Sequence, residues 1–413
     1  MATRILYLTS FWTRDVGVKL GDMTVTNGIE TPAFVTDEKI LQGDLTQLRA
    51  IADQASCKLL YSPKASALST VLQYAARQVD GFACSSPFEL RLVGELSRDN
   101  PGDALSSHLV SPLIKPETLK AFGEKIDYLT MNSLSQWERL RGSVSPRTSV
   151  GLRLNPQLSF VRDARYDPCR PHSKLGISIN ELAEFVVSDT VRFDGINGLH
   201  FHTNCEGTDF ADLLATARHI QTAIPMLLHQ VDWINLGGGY LFDMASDHSD
   251  FYQAVAIFRD GFGLEVFIEP GAAAVRRSGT IEATVHDIVR SDDMLVAILD
   301  TSVNHMPEVF EFQFEPDILG QMDGGLHSYI LAGCTCLPGD EFGNYSFDRP
   351  LRIGSKIKFL NMGAYTMSKA HRFNGVALPT IYRRGLDGSL NKVRADRFGE
   401  FAQIMGSANV AVA

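Results

Sequence analysis

Between residues 58 and 271 the chain alternates short apolar runs with amphipathic ones, regularly enough to constrain the fold. The short runs are "KLLYSPK" (58–64), "GFACSS" (81–86), "SHLVS" (107–111), "DYLTMN" (127–132), "SVGLRLN" (149–155), "NGLHFH" (197–202), "VDWINLGGG" (231–239) and "LEVFIEPG" (264–271). Apolar and β-branched residues bounded by turn formers are the mark of a buried strand. Between them, "SALSTVLQYAARQ" (66–78), "PFELRLVGEL" (87–96), "INELAEFVVSD" (179–189) and "TDFADLLATARHIQTAI" (208–224) carry helical spacing. Eight strands alternating with helices predict an α/β fold, a (β/α)8 TIM barrel. A doubly wound sheet is the alternative that the count leaves open. Residues 157–176 are rich in Arg, Pro and Asp without a period, and read as an active-site loop.

After residue 275 the texture changes. "GTIEATVHDIVR", "MLVAILDTSV", "HSYILAG" and "PLRIGSKIKFLNMG" alternate or are β-branched, separated by Gly, Pro and Asp. They predict a C-terminal, mostly-β domain of sandwich or barrel type. The expected division is a barrel over 31–274 and a discontinuous β domain of 1–30 and 275–413, with "RILYLTSFW" (4–12) donating a strand.

Composition narrows the partners. A formal charge of −10 argues against nucleic acid, whose phosphates need clustered Lys and Arg. No run approaches the ~18–20 apolar residues of a membrane span, and no signal peptide is evident at the N-terminus. Six cysteines are too sparse for a disulfide framework, and Cys334-Thr335-Cys336 lacks the second ligand pair of a zinc site. A cytoplasmic protein without metal, acting on a small molecule, is the expectation.

In such a barrel, functional groups come from the C-terminal ends of the strands. Those positions hold Lys64, Glu89, Arg153 with Asn155, His200 with His202, Gly237–Gly239 and Glu269. Singly, each has a plain structural reading. Lys64 can be a solvated turn lysine, "GGG" a flexible turn, and His200 with His202 a hydrogen-bonded or metal-binding pair. Jointly they match one cofactor. A lysine can form a Schiff base with an aldehyde, glycine N–H groups can approach a phosphate, an imidazole can cover a ring, and a carboxylate can pair with a protonated pyridine. Those are the needs of pyridoxal 5′-phosphate (PLP).

The segments "SPKAS", "FACSSPFEL", "GLRLNP", "HSKLGI", "LHFHTNCE", "INLGGGY", "FIEPG", "CTCLPGDEFG" and "MGAYTMSKAHRFNG" resemble, in order, the motifs of the fold-type III, alanine-racemase-like PLP decarboxylases, from about Thr31 to Tyr382. Within that family they look most like the branch acting on carboxynorspermidine and carboxyspermidine in polyamine synthesis. The resemblance implies that Lys64 carries the cofactor and that His202 stacks on its ring. It implies that Gly237, Gly238, Gly239 and Tyr365 hold the phosphate, that Gly271 lies against the cofactor, and that Glu269 binds the pyridine nitrogen. Cys336 and Asp340 resemble the pair that enters the partner's active site, implying a homodimer with shared sites and Cys336 as proton donor, Lys64 being the alternative. Glu89 and Arg153 match supporting positions, and Asp300, His305 and Glu308 lie where relatives read a distal amine. A racemase of this fold usually presents arginine in place of Glu269, so decarboxylation is expected.

Two departures bear on the substrate: Ala272 stands after "EPG", where many relatives carry Arg or Glu, and Pro63 precedes the lysine, where aliphatic residues are usual. A paralogous decarboxylase of a diaminopimelate- or ornithine-like amino acid, or of a natural-product or siderophore intermediate, is therefore the alternative. A non-catalytic PLP carrier and a metal hydrolase built on His200 and His202 are the readings from other classes.

Overall fold

A computed structural model describes residues 28–99, 105–188 and 193–407. The 4–12 run, expected to supply a strand, lies outside the described residues. Two compact units emerge: Gln42–Ala274, and a discontinuous one made of the chain up to Leu41 and from Val275 onward.

The first strand, β1 (Ala33–Asp37), belongs to the discontinuous unit. The other unit contains β2 (Lys58–Tyr61), β3 (Gly81–Cys84), β4 (Ser106–Val110), β5 (Tyr128–Met131), β6 (Ser149–Asn155), the two-residue β7 (Ile177–Ser178), β8 (Gly198–His200), β9 (Trp233–Asn235) and β10 (Glu265–Ile268). Eight of these pair in parallel, in the order β2-β3-β4-β5-β6-β8-β9-β10, and β10 returns to β2. That closure makes a (β/α)8 barrel and removes the doubly wound alternative; β7 only extends β6. Strands covered on both faces read as continuous apolar runs, and β3 is buried at every position. Helices at Ser69–Ala75, Pro87–Asp99, Ile179–Ser188 and Ala211–Ala223 fall within or close to the four helical runs. The 157–176 segment contains no helix or strand.

Near the N-terminal ends of the strands the barrel is plugged by aromatic rings. His108 stacks on Tyr128 with centroids 4.3 Å apart, and Tyr128 and Phe267 meet Trp233 edge-on. Gly151, Gly198 and Trp233 are neighbours in the ladder, and a Cβ on Gly198 would overlap the indole. The glycines are the complement of the tryptophan, whose Nε1 donates to Ser149 Oγ at 2.8 Å.

The other unit is a mixed sheet. Its strands are β11 (Gly279–Ser291), β12 (Met294–Leu299), β13 (His327–Ala332), β14 (Glu341–Phe347), β15 (Lys356–Phe359), β16 (Thr380–Arg384) and β17 (Leu390–Arg394). The order is β14-β13-β12-β11-β1-β16-β17, with β15 also on β11. Segment 33–37, which the sequence suggested as the start of the barrel, is thus an inner strand here, antiparallel to β11 and parallel to β16. The first half of β11 is buried between β1 and β15, and the second half turns outward along β12 after a register shift between Val285 and Asp287.

Candidate active site

The ends of β6, β8, β9 and β10 place Arg153, His200, Asn235 and Glu269 side by side. Arg153 is in register with His200, and His200 with Asn235. Glu269 is buried just beyond β10 and is held at both oxygens. His200 Nε2 lies 3.2 Å from Oε1, and Asn235 Nδ2 donates to Oε2 at 3.2 Å. Burial favours the neutral acid, but the contact with His200, electrostatic first and hydrogen-bonded second, and then the nearby Lys64 outweigh it, holding Glu269 well below the usual carboxylate range. Burial pulls His200 the other way for a histidine, down and toward its neutral form.

Asn235 does a second job. Its Oδ1 accepts the backbone N–H of Gly237 at 2.8 Å, so one side chain ties the glutamate to the glycine loop. The loop tolerates nothing larger. Gly237 and Gly239 adopt φ of +73° and +92°, and added Cβ atoms would overlap the carbonyl oxygens of Phe201 and Asn204. A Cβ on Gly238 would strike the carbonyl of Glu269. The Gly238 N–H donates to His202 Nδ1 at 3.1 Å, which makes that nitrogen an acceptor and places the ring hydrogen on Nε2. Burial, then Lys64 and Arg153, hold His202 well below the usual histidine range. The two histidines do not form a pair, because β8 ends at His200 and His202 lies past it, bonded to a different element.

Lys64 owes its position to the residues before it. Ser62–Ala65 form a β-turn in which the Ala65 N–H donates to Ser62 O at 3.2 Å, with Pro63 second in the turn. Proline pre-sets the φ that this position requires, so Pro63 ends the strand instead of disrupting it. The buried Tyr61 hydroxyl pins the far side by donating to Ser66 O at 2.8 Å. Lys64 is exposed between buried neighbours and close enough to Glu89, His202 and Glu269 to bias their ionisation. Glu89 closes a helix cap: Ser86 Oγ accepts its N–H, and its carboxylate accepts the Ser85 N–H at 2.6 Å. Burial raises the Glu89 pKa, against the pull of that bond and of Lys64. Gly271 is buried and opens the helical turn Ala272–Val275.

The remaining expected residues, Asp300, His305, Cys336, Asp340 and Tyr365, are in the discontinuous unit. Asp300 accepts from Thr31 Oγ1 at 2.6 Å and the Thr284 N–H at 2.7 Å. Asp340 accepts from the Val303 N–H, the Thr335 N–H and the Thr335 hydroxyl. These bonds, with Asn374 Oδ1 accepting the Cys336 N–H at 2.9 Å, fix a loop that presents Cys336 exposed. Tyr365 is half-buried at φ +54°, beneath Lys369, whose ammonium is 5.7 Å from the ring centroid and also binds Glu308 and Glu311. His305 is fully buried, with Nδ1 3.1 Å from Thr301 Oγ1.

Burial pushes His108 down to about 3 and His305 down to about 4, from an ordinary 6.5. Below pH 6.5 the unfolded chain takes up protons that these folded sites refuse, so stability is retained above that pH and falls as pH drops toward 4. Each such histidine contributes about 1.4 kcal/mol per pH unit inside its window. Urea unfolding at pH 7 and pH 5 should show the loss, and His305→Asn should flatten the slope by one histidine's share.

Among the described residues no group of three or more His, Cys, Asp or Glu is placed to hold a metal ion. The set instead offers a lysine nucleophile, a neutral imidazole, an ionised buried carboxylate and a glycine cradle. The family model for pyridoxal-dependent decarboxylases, pyridoxal binding domain, matches residues 45–276, more than half of the chain. The chain belongs to this family, is a PLP-dependent decarboxylase, and has PLP as its cofactor. Carboxyaminopropylagmatine decarboxylase of Synechocystis is 32% identical, over 86% of this chain and 90% of that one. Carboxynorspermidine/carboxyspermidine decarboxylase of Campylobacter jejuni is 29% identical, over 91% and 98%. The crystal structure of carboxynorspermidine decarboxylase complexed with norspermidine, also from C. jejuni, superposes with a TM-score of 0.80 at 27% identity, covering 91% of this chain and 100% of that one.

The residues present fit the cofactor. Gly237–Gly239 present bare backbone packed against the carbonyls of Phe201, Glu269 and Asn204, with no side chain to screen it, and the buried Glu269 keeps a negative charge that a pyridinium nitrogen would pair with. Asn235 and Asn374 are the residues that reading the sequence missed. Asn235 had a signal, being a polar residue at the end of a buried run directly before "LGGG".

Proposed function

We propose that the chain removes the α-carboxylate from a polyamine bearing a 3-amino-3-carboxypropyl group, with carboxynorspermidine and carboxyspermidine as substrates. The observation that carries this is the near full-length similarity to decarboxylases whose names specify such carboxylated amines. The Synechocystis relative favours carboxyaminopropylagmatine as a further substrate, with the same head and a guanidine tail. Diaminopimelate decarboxylases are more distant, at 16–23% identity, and share the fold without supporting their substrate here.

Bound PLP would supply an electron-accepting ring for the charge that develops at the substrate's Cα. Lys64 Nζ provides the covalent anchor between turnovers. His202, fixed by the Gly238 N–H, would present a neutral flat ring to one face of the cofactor. The bare backbone of Gly237–Gly239 would approach its phosphate, with the Gly239 N–H as the loop's donor, since those of Gly237 and Gly238 are held by Asn235 and His202, and with Tyr365 reaching the same group. Glu269, ionised and held by His200 and Asn235, would keep a proton on the pyridine nitrogen, the state in which the ring is the stronger electron acceptor. Cys336 Sγ returns a proton to Cα, with Lys64 Nζ as the alternative donor. Glu89 and Arg153 are assigned to the substrate side. The bonds of Asp300 and Asp340 support roles as anchors for neighbouring strands and for the Cys336 loop, and the burial of His305 supports the same. The exposed Cys336 supports a homodimer in which this loop completes the partner's site. No described helix is long and apolar enough to cross a membrane, and all six cysteines are free, which supports a cytoplasmic setting.

CO2 release from carboxynorspermidine, carboxyspermidine, carboxyaminopropylagmatine, meso-diaminopimelate, ornithine and arginine tests the substrate. The carboxylated polyamines should lead in kcat/KM by at least ~100-fold, the scale of one well-placed charged contact. Preference for diaminopimelate or ornithine would contradict the proposal. Mixing inactive Lys64→Ala and Cys336→Ala proteins tests the shared site. Up to about a quarter of wild-type activity should return, since half the subunits pair unlike and each such dimer rebuilds one of its two sites; no recovery would argue for sites within one chain.

A further inference from the structure

Resting on the PLP reading above, we propose that His200 is an uncharged clamp. By donating its Nε2 hydrogen to Glu269 it keeps that carboxylate ionised and aimed at the pyridine nitrogen, without placing a competing positive charge beside it. His200 would be a positioning residue that acts through Glu269.

The geometry sets both halves of this role. His200 is 1% exposed, and its Nε2 is 3.2 Å from Glu269 Oε1. The opposite ring nitrogen, Nδ1, is buried and has no hydrogen-bond partner among the described residues. A proton can sit on Nε2, where a carboxylate accepts it, or on both nitrogens. The second state would bury an N–H and a positive charge with nothing to receive the Nδ1 hydrogen, and a buried unpaired donor is far costlier than a buried unpaired acceptor on a neutral ring. An Nδ1 unpartnered among the described residues therefore favours the neutral ring.

Neutrality matters because of what Glu269 must do. A lysine or arginine in place of His200 would form a salt bridge and use up the carboxylate's charge. A neutral donor stabilises the anion and leaves its charge for a cation. Asn235, the other donor, is also uncharged, so both fixed partners of Glu269 work in the same way. The charged neighbours of this cluster are Lys64 and Arg153, with neutral His202 and His108 around it.

The test reads the cofactor nitrogen directly. Wild-type, His200→Gln and His200→Phe proteins are reconstituted with PLP labelled with nitrogen-15 in the ring, and the ring-nitrogen shift is followed from pH 5 to 9. Wild type and His200→Gln, which keeps an uncharged donor, should stay protonated. In His200→Phe the ring nitrogen should lose its proton at a pH lower by about one unit or more, equivalent to one lost hydrogen bond to a charged group. An unchanged titration in a folded His200→Phe protein would overturn the clamp. A second measurement needs no disruptive variant: nitrogen-15 histidine spectra of the wild-type holoenzyme, with His200 assigned by the signal missing from His200→Gln. They should show His200 neutral with its hydrogen on Nε2 at pH 7, and an imidazolium there would equally overturn the proposal. Failure of wild type to bind PLP would instead count against the cofactor assignments of Lys64 and the glycine loop.

Discussion

Lys64→Ala is expected to reduce decarboxylation by on the order of 10³-fold or more, while the protein keeps its fold and still binds PLP non-covalently. The side chain is exposed, and the turn that presents it is held by Pro63, by the Ser62–Ala65 hydrogen bond and by Tyr61, none of which the substitution touches. Loss of stability is therefore confined to a few tenths of a kcal/mol, as for other surface changes. The absorbance band of the lysine-bound cofactor should vanish, and external amines should restore part of the rate. A rate within tenfold of wild type would remove Lys64 from the chemistry.

The second large effect is at the glycine loop. In Gly239→Ala the new Cβ meets the carbonyl oxygen of Asn204, a backbone atom that cannot swing aside, at a φ of +92° that side-chain-bearing residues avoid. The loop must shift, and with it the Gly239 N–H proposed to meet the phosphate. Losing one charge-assisted hydrogen bond, at about 1.5–3 kcal/mol, should weaken PLP binding by roughly 10- to 150-fold. Equilibrium dialysis or fluorescence titration with PLP measures this. Excess cofactor should recover part of the activity, which distinguishes a binding defect from a chemical one. Unchanged affinity would mean that the phosphate is held elsewhere.

Much of this architecture could be read from residues alone, because eight strands of a parallel barrel are buried on both faces and announce themselves as apolar runs. What the runs could not show is where the ladder stops. The segments 231–239 and 264–271 continue past their last paired residues, Asn235 and Ile268, because the glycines and Glu269 follow without a break in apolar texture. The same blurring made His200 and His202 look like a same-face pair, when the strand ends between them. Residues alone put segment 33–37 in the barrel, because its partners, β11 and β16, are more than 240 residues away and leave no local trace. Asp300 and Asp340 are the kind of acids that bind amines, and only the structure reveals that backbone N–H groups and hydroxyls of their own unit already surround them. Pro63, an oddity beside a nucleophile, becomes intelligible once the turn is seen.

The most direct measurement is chemical. Wild-type protein carrying PLP is reduced with borohydride and digested, and the phosphopyridoxyl label is located by mass spectrometry. One label per chain should be found, on Lys64 in the peptide containing Ser62-Pro63-Lys64-Ala65-Ser66. A label on any other lysine, or none on protein that decarboxylates its substrate, would contradict the site assigned to this barrel.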